Sequence, residues 1–272
     1  MNRTILRAGV VLVGGALALP LLAQPPGAGE RPNATPNETP AEIARREYDE
    51  VLRLTPNAAR GRQVYLTCAV CHLPEGWGSV DGSYPQIAGQ WRTVIIKQLA
   101  DFRAGNRDNP LMYPFSVPEV LGGPQEIADV AAYVAQLPMT AHNGLGPGTD
   151  LDKGKALYTR HCADCHGAAG EGDEADSIPV IAGQHYAYLM RQFDAIRAGE
   201  RKNADSKMSQ DIQNLTTAER SAILDYSARL RPAPEKRAPE GWSNPDFPDY
   251  LRDELERRAR PPLKPAPASD RL

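Results

Sequence analysis

The segment Pro85-Gln-Ile-Ala-Gly-Gln90 returns as Pro179-Val-Ile-Ala-Gly-Gln184, displaced by 94 positions (179 − 85), and the echo is not isolated. Phe102-Arg-Ala-Gly105 returns as Ile196-Arg-Ala-Gly199 at the same displacement. Gly61-Arg-Gln-Val-Tyr65 answers to Gly154-Lys-Ala-Leu-Tyr158 one position short of it, because the second copy has one more residue before its first cysteine. A period this long is unlike a solenoid repeat and describes two small domains made by duplication.

Both copies carry the same chemistry. Cys68-Ala-Val-Cys71-His72 and Cys162-Ala-Asp-Cys165-His166 use all four cysteines of the chain. Two thiols three positions apart lie on one side of a helical turn, where they can bond the two vinyl groups of one porphyrin. The next residue projects its imidazole towards the iron. This is the attachment pattern of c-type haem. Zinc ribbons set their cysteine pairs only a short loop apart. A redox dithiol expects a strand–helix–strand context that neither site has, and disulfides leave both histidines unexplained.

The second axial position decides between a sealed electron-transfer iron and an open, reactive one. Met112 lies 40 residues after His72 and Met208 lies 42 after His166. Both follow an Arg-Ala-Gly segment and precede the last helix of their repeat, in loops rich in Pro, Asn, Ser or Asp. They are the expected sulfur ligands, which would make both sites fairly oxidising. Met190, within a helical stripe, reads as core, and Met139 has no counterpart in the second copy. His142, His161 and His185 read as surface or packing residues. Pro85 and Pro179 each follow their histidine by 13 residues, so a carbonyl there is placed to hold the imidazole's other nitrogen.

Around these sites the chain reads as all α. Each copy shows a short helix before its cysteines, a middle helix and a last helix. The middle stripes are Trp91, Val94, Ile95, Leu99 and Phe102, against His185, Tyr188, Leu189, Phe193 and Ile196. The last are Ile127, Val130, Val134 and Leu137, against Ile223, Tyr226 and Leu230. Thr216 and Glu219 announce a capping box. Domains this small, in a chain with 6% aromatic residues, have little to bury. A porphyrin in each supplies the missing core.

Residues 1–23 read as an export signal, with Arg3 and Arg7 ahead of an uncharged apolar run that is short for a spanning helix. Residues 24–56 form a Pro-rich tether and a short charged helix over 41–54. The first domain spans 57–140, a linker 141–149, and the second domain 150–231. A Pro-rich tail follows over 232–272, expected to be extended apart from a charged helix at 249–258. The formal charge of −3 gives no polarised binding face.

With these motifs together, the chain resembles the tandem dihaem class I cytochromes c of the c-four type. The likeness rests on the two CxxCH sites, the paired Pro-x-Ile-Ala-Gly-Gln segments, and the Arg-Ala-Gly motifs with Arg107 or Lys202 and Asn109 or Asn203 following. Tyr133 and Tyr226 in the final helices complete it. The resemblance implies two helical domains related by a pseudo-twofold axis, carrying two covalent haem c groups and exchanging electrons internally. It also implies a periplasmic carrier, soluble or membrane-associated through a retained N-terminus, that serves a terminal oxidase or reductase and does not bind nucleic acid. The extensions at 41–54 and from 232 suggest an alternative, a subunit of a dehydrogenase complex. An iron left open by one methionine would instead make a dihaem peroxidase.

Overall fold

The computed structural model describes residues 37–248, and among them the only β structure is two isolated bridges. Helix α1 (Pro40–Leu52) precedes the first repeat. That repeat contains α2 (Ala58–His72), α3 (Arg92–Ala104), the one-turn helices α4 (Tyr113–Ser116) and α5 (Pro118–Leu121), and α6 (Pro124–Gln136). The second repeat contains α7 (Leu151–His161), α8 (Ala163–His166), α9 (Tyr186–Arg197), α10 (Ser206–Ile212) and α11 (Thr217–Arg229). The export signal, most of the tether and the helix expected at 249–258 lie outside the described residues.

Each repeat is organised by the crossing of its first and last helices, and a glycine permits the crossing. A Cβ on Gly61 would stand 2.0 Å from the Asp129 carbonyl oxygen, and one on Gly154 would stand 2.3 Å from that of Ala222. Next to each glycine contact a tyrosine is fully buried. Tyr65 packs on Tyr133 with ring centroids 5.2 Å apart, and Tyr158 on Tyr226 at 5.5 Å. Their hydroxyls donate to the carbonyls of Leu73 and Gly167, both at 2.7 Å. The crossing therefore ties down the chain immediately beyond each CxxCH histidine. Buried carboxylates anchor the same scaffold to the segments that enter it. Asp129 accepts from Asn57 N–H at 2.6 Å, and Asp225 from the N–H groups of Gly146 and Gly148 at 3.0 and 2.6 Å.

The two repeats carry their cysteines differently. In the first, α2 runs unbroken through both to His72, whereas in the second the helix stops at His161 and restarts at Ala163. The extra residue before Cys162 is the physical cause. Each residue turns an α-helix by about 100°, so an unbroken helix would swing the cysteine pair away from the face that Tyr158 fixes. The kink at Cys162 (φ −123°, ψ −38°) absorbs the insertion. The methionine loops also hold more helix than the sequence suggested, namely α4, α5 and α10. The expected capping box at Thr216 and Glu219 is present, and a second one, Thr39 with Glu42, starts α1.

Both extensions fold back onto the first repeat. Ile43 and Ala44 of α1 pack against Ala100 and Ala104 of α3. Beside them the buried Arg103 donates to Glu47 at 2.5 Å, to the Ser116 carbonyl at 2.6 Å and to the Gly122 carbonyl at 2.7 Å. Burial holds the Glu47 carboxyl above its usual range, against the pull of Arg103. The chain after Arg231 is more than the extended tail expected. It exchanges backbone hydrogen bonds with Met139, each 2.8 Å, and sets the Lys236 ammonium 3.3 Å from the centre of the Trp91 ring. It then packs Trp242 at a tilt against Trp77 and buries Phe247 edge-on to Tyr65. Its anchors are single residues spaced among prolines, a pattern without period.

Candidate functional site

Cys68 and Cys71 occupy the last turns of α2, and Cys162 and Cys165 flank and enter α8. None of the four is paired in a disulfide. Burial pushes the Cys68 and Cys162 thiols up to about 12, so both stay protonated at neutral pH. A redox dithiol needs the reverse, a lowered thiol pKa. Among the described residues no three His, Cys, Asp or Glu side chains gather into a metal-holding cluster. Each site offers two cysteines and the histidine that follows them, the residue set that attaches a porphyrin.

His72 and His166 close their helices and are buried. Nδ1 of His72 lies 2.9 Å from the Pro85 carbonyl oxygen, and Nδ1 of His166 lies 3.1 Å from that of Pro179. A carbonyl can only accept, so the proton sits on Nδ1 and Nε2 keeps the lone pair that an iron needs. Burial lowers both imidazole pKa values, with the proline carbonyls opposing it, which favours the neutral, ligating form.

Met112 immediately precedes α4 and Met208 lies in α10, and both are half-buried. One local device presents both. Asn109 Oδ1 accepts from the N–H groups of Leu111 and Met112 at 3.1 and 3.2 Å. Asp205 Oδ1 does so from Lys207 and Met208 at 2.8 and 3.0 Å. Each methionine thus stands third after a side chain that caps a turn. The Arg-Ala-Gly arginines brace the same loops from behind, Arg103 through Ser116 and Gly122, and Arg197 through the Leu215 carbonyl at 3.1 Å.

The other candidates are occupied elsewhere. Met190 packs in the core of the second repeat, and Met139 is buried against Val180 and Ala182 of that repeat. His142 is exposed and His161 half-buried. His185 is buried, accepting from Gly144 N–H at 2.9 Å and donating to the Trp77 carbonyl at 2.7 Å.

A polar seam between the repeats has no signature in the motifs. Arg107 donates to Gln98 and Gln192 at 2.6 and 2.7 Å, and Arg201 donates to Gln192 and Gln98 at 3.0 and 3.3 Å. The structural counterpart of Arg107 is therefore Arg201 and not Lys202, which is exposed. Burial, and then Arg107 itself, push the Arg201 guanidinium down to about 10. The 94-residue displacement does relate Gln98 to Gln192 and Arg107 to Arg201. Nothing local signals that the two pairs meet.

A cytochrome c family model matches residues 58–138 and, separately, 151–228. The chain belongs to the cytochrome c family. Over 199 residues it is 31% identical to the thiosulfate dehydrogenase electron acceptor of Stutzerimonas stutzeri strain A1501, spanning 66% of this chain and 90% of that protein. It is 30% identical over 185 residues to cytochrome c4 of Pseudomonas aeruginosa, spanning 62% and 87%. Among solved structures, reduced recombinant cytochrome c4 from Pseudomonas stutzeri aligns with a TM-score of 0.58 at 25% identity, over 65% of this chain and all of that one. The "as isolated" thiosulfate dehydrogenase from Marichromatium purpuratum aligns with a TM-score of 0.53 at 30% identity, over 62% and 39%. This tandem cytochrome c binds two covalent haem c groups and carries electrons between redox proteins. No helix among the described residues is long and apolar enough to cross a membrane.

Proposed function

We propose that the chain is a periplasmic electron carrier in which His72 and Met112 ligate one iron and His166 and Met208 the other. The haem supplies the one-electron chemistry when bound. The protein's part is to hold it. Four cysteine sulfurs fix the two porphyrins, Pro85 and Pro179 fix the imidazoles, and the capped loops bring up the methionines. A thioether and an imidazole together would leave the iron no site for a reactant and would favour the reduced state. The observation that carries this reading is the paired Nδ1-to-proline hydrogen bond, which leaves Nε2 of each buried histidine as the ligating atom.

A pyridine haemochrome assay should count two haems per chain, and the oxidised protein should show the iron–thioether absorption of two sites. Met112→Ala should remove one half of that absorption and Met208→Ala the other half. An unaltered band after Met112→Ala would refute the first assignment. High-spin iron at rest together with peroxide turnover would make the protein a peroxidase instead.

The export signal at residues 1–23 supports the periplasm, with membrane association where that segment is retained. For the electron donor, the similarity to proteins named as thiosulfate dehydrogenase electron acceptors favours a periplasmic dehydrogenase, with onward delivery to a terminal oxidase or reductase. Rapid mixing of the oxidised protein with a thiosulfate dehydrogenase and thiosulfate should reduce both haems within the enzyme's turnover time. Reduction no faster than with thiosulfate alone would exclude that donor.

A further inference from the structure

The glutamine ending each Pro-x-Ile-Ala-Gly-Gln segment reaches into the other repeat. Gln184 Oε1 accepts from Gln86 N–H at 3.0 Å, while its Nε2 donates to the Gln86 carbonyl at 2.8 Å. Gln90 treats Val180 in the same way, at 2.9 and 3.0 Å. Each primary amide pairs with both polar groups of one backbone residue, and those partners fix which end is oxygen. In each case the residue it grips is the one directly after the proline that faces the axial histidine.

The peptide group joining Pro85 to Gln86 is therefore engaged at both ends. Its carbonyl accepts from His72 in the first repeat, and its N–H donates to Gln184 in the second. The peptide joining Pro179 to Val180 links His166 to Gln90 in the mirrored sense. Hydrogen bonds in a chain polarise one another, so engaging the N–H makes the carbonyl a stronger acceptor. A stronger acceptor at Nδ1–H makes the imidazole more basic. A more strongly donating ligand stabilises ferric iron and lowers the potential. Gln86 and Gln184 are 3% and 7% exposed, so water has little access to replace the lost bond.

We propose that Gln184 and Gln90 are positioning residues that act crosswise. Gln184 of the second domain orients and tunes the ligand of the first iron, and Gln90 of the first domain tunes that of the second. The inference rests on the reading of His72 and His166 as iron ligands.

The test is a spectroscopic redox titration of the full dihaem protein. Met112→His and Met208→His variants serve to mark which potential belongs to which haem. Gln184→Met should raise the first haem's potential and leave the second near its starting value. The expected change is about threefold in the reduced-to-oxidised ratio at fixed ambient potential, or about 28 mV at 59 mV per tenfold for one electron. Gln90→Met, at a half-buried position, should do the converse. Gln184→Glu keeps an oxygen for Gln86 N–H and should hold the first potential at or below that of the parent. The Nδ1–H resonance of the crosswise histidine should move upfield in each Met variant. A shift confined to the haem of the substituted domain, equal shifts in both, or none would overturn the proposal. Failure of the ligand reading itself looks different, because the parent protein would then lack low-spin histidine-ligated signals altogether.

Discussion

Both domains hold their histidine on a proline carbonyl, and both tie the following residue to a buried tyrosine. Beyond that shared centre they part. After the histidine the first domain has Leu73 at φ 65°, ψ 160°, where the second has Gly167 at φ 79°, ψ 161°. The first is wrapped by α1 and by the segment ending at Phe247. Around Met112 it exposes Leu111, Tyr113, Phe115 and Val120, whereas Met208 is flanked by Asp205, Ser206, Lys207 and Gln210. Among the described residues, every exposed large hydrophobic apart from Leu145 of the linker belongs to the first domain. Duplication left the geometry that anchors each histidine alike in the two copies, and the elaboration accumulated on one of them.

The arginines behind the methionine loops should separate the domains most sharply. Arg103→Leu strands the buried Glu47 carboxyl and frees two carbonyls, at a cost of about 3–5 kcal/mol. Arg197→Leu removes only the bond to Leu215 and should cost about 1 kcal/mol. Denaturant unfolding followed through the iron–thioether signal proposed for each domain measures both, and equal losses would erase the asymmetry. Phe247→Ala should cost about 3 kcal/mol, felt in the first domain alone. Loss of the second domain's signal in parallel would mean that the segment ending at Phe247 supports both domains.

Asp129 provides a test by pH. Burial acts to raise its carboxyl pKa, but Arg60, the Asn57 N–H and Gln125 together carry it below the ordinary 3.8. A lowered acid contributes stability above its unfolded pKa and loses it as pH falls through the folded one. The parent should therefore weaken as pH falls below about 3.8. Asp129→Asn should be weaker at neutrality and flat across that window, and parallel curves for the two proteins would contradict the role given to Asp129. The smallest effect is expected at Leu73, whose backbone conformation is one that glycine adopts freely. Leu73→Gly should stabilise the first domain by about 1 kcal/mol, and Gly167→Leu should destabilise the second by more, because a Cβ there also meets the Glu171 carboxylate. Opposite signs would show that the Leu73 side chain contributes more by packing than its backbone loses.

Much of this was legible because the signals are short in sequence. CxxCH lies within one helical turn, and the 13 residues from histidine to proline span a single loop. The helical stripes and the Thr216–Glu219 cap are local in the same way. What stayed hidden is what crosses between the copies. Gln184 reads as the end of a motif until Gln86, 98 residues away, is seen to be its partner. Likewise, Glu47 looks like one more charge on a charged helix, and only the position of Arg103 explains its burial. The break at Cys162 was implicit in the one-residue insertion, but a rotation of about 100° becomes visible only once Tyr158 is fixed in place.

The docking of Phe247 bears on how the molecule is made. A chain emerges from its N-terminus, and the core around Tyr65 takes in a side chain from beyond the whole second domain. The second domain can thus be complete while the first still has an open flank. Cys68 and Cys71 are synthesised first, but their domain is the last to be sealed. Truncation before Phe247 would leave the earlier-made haem site as the unfinished one.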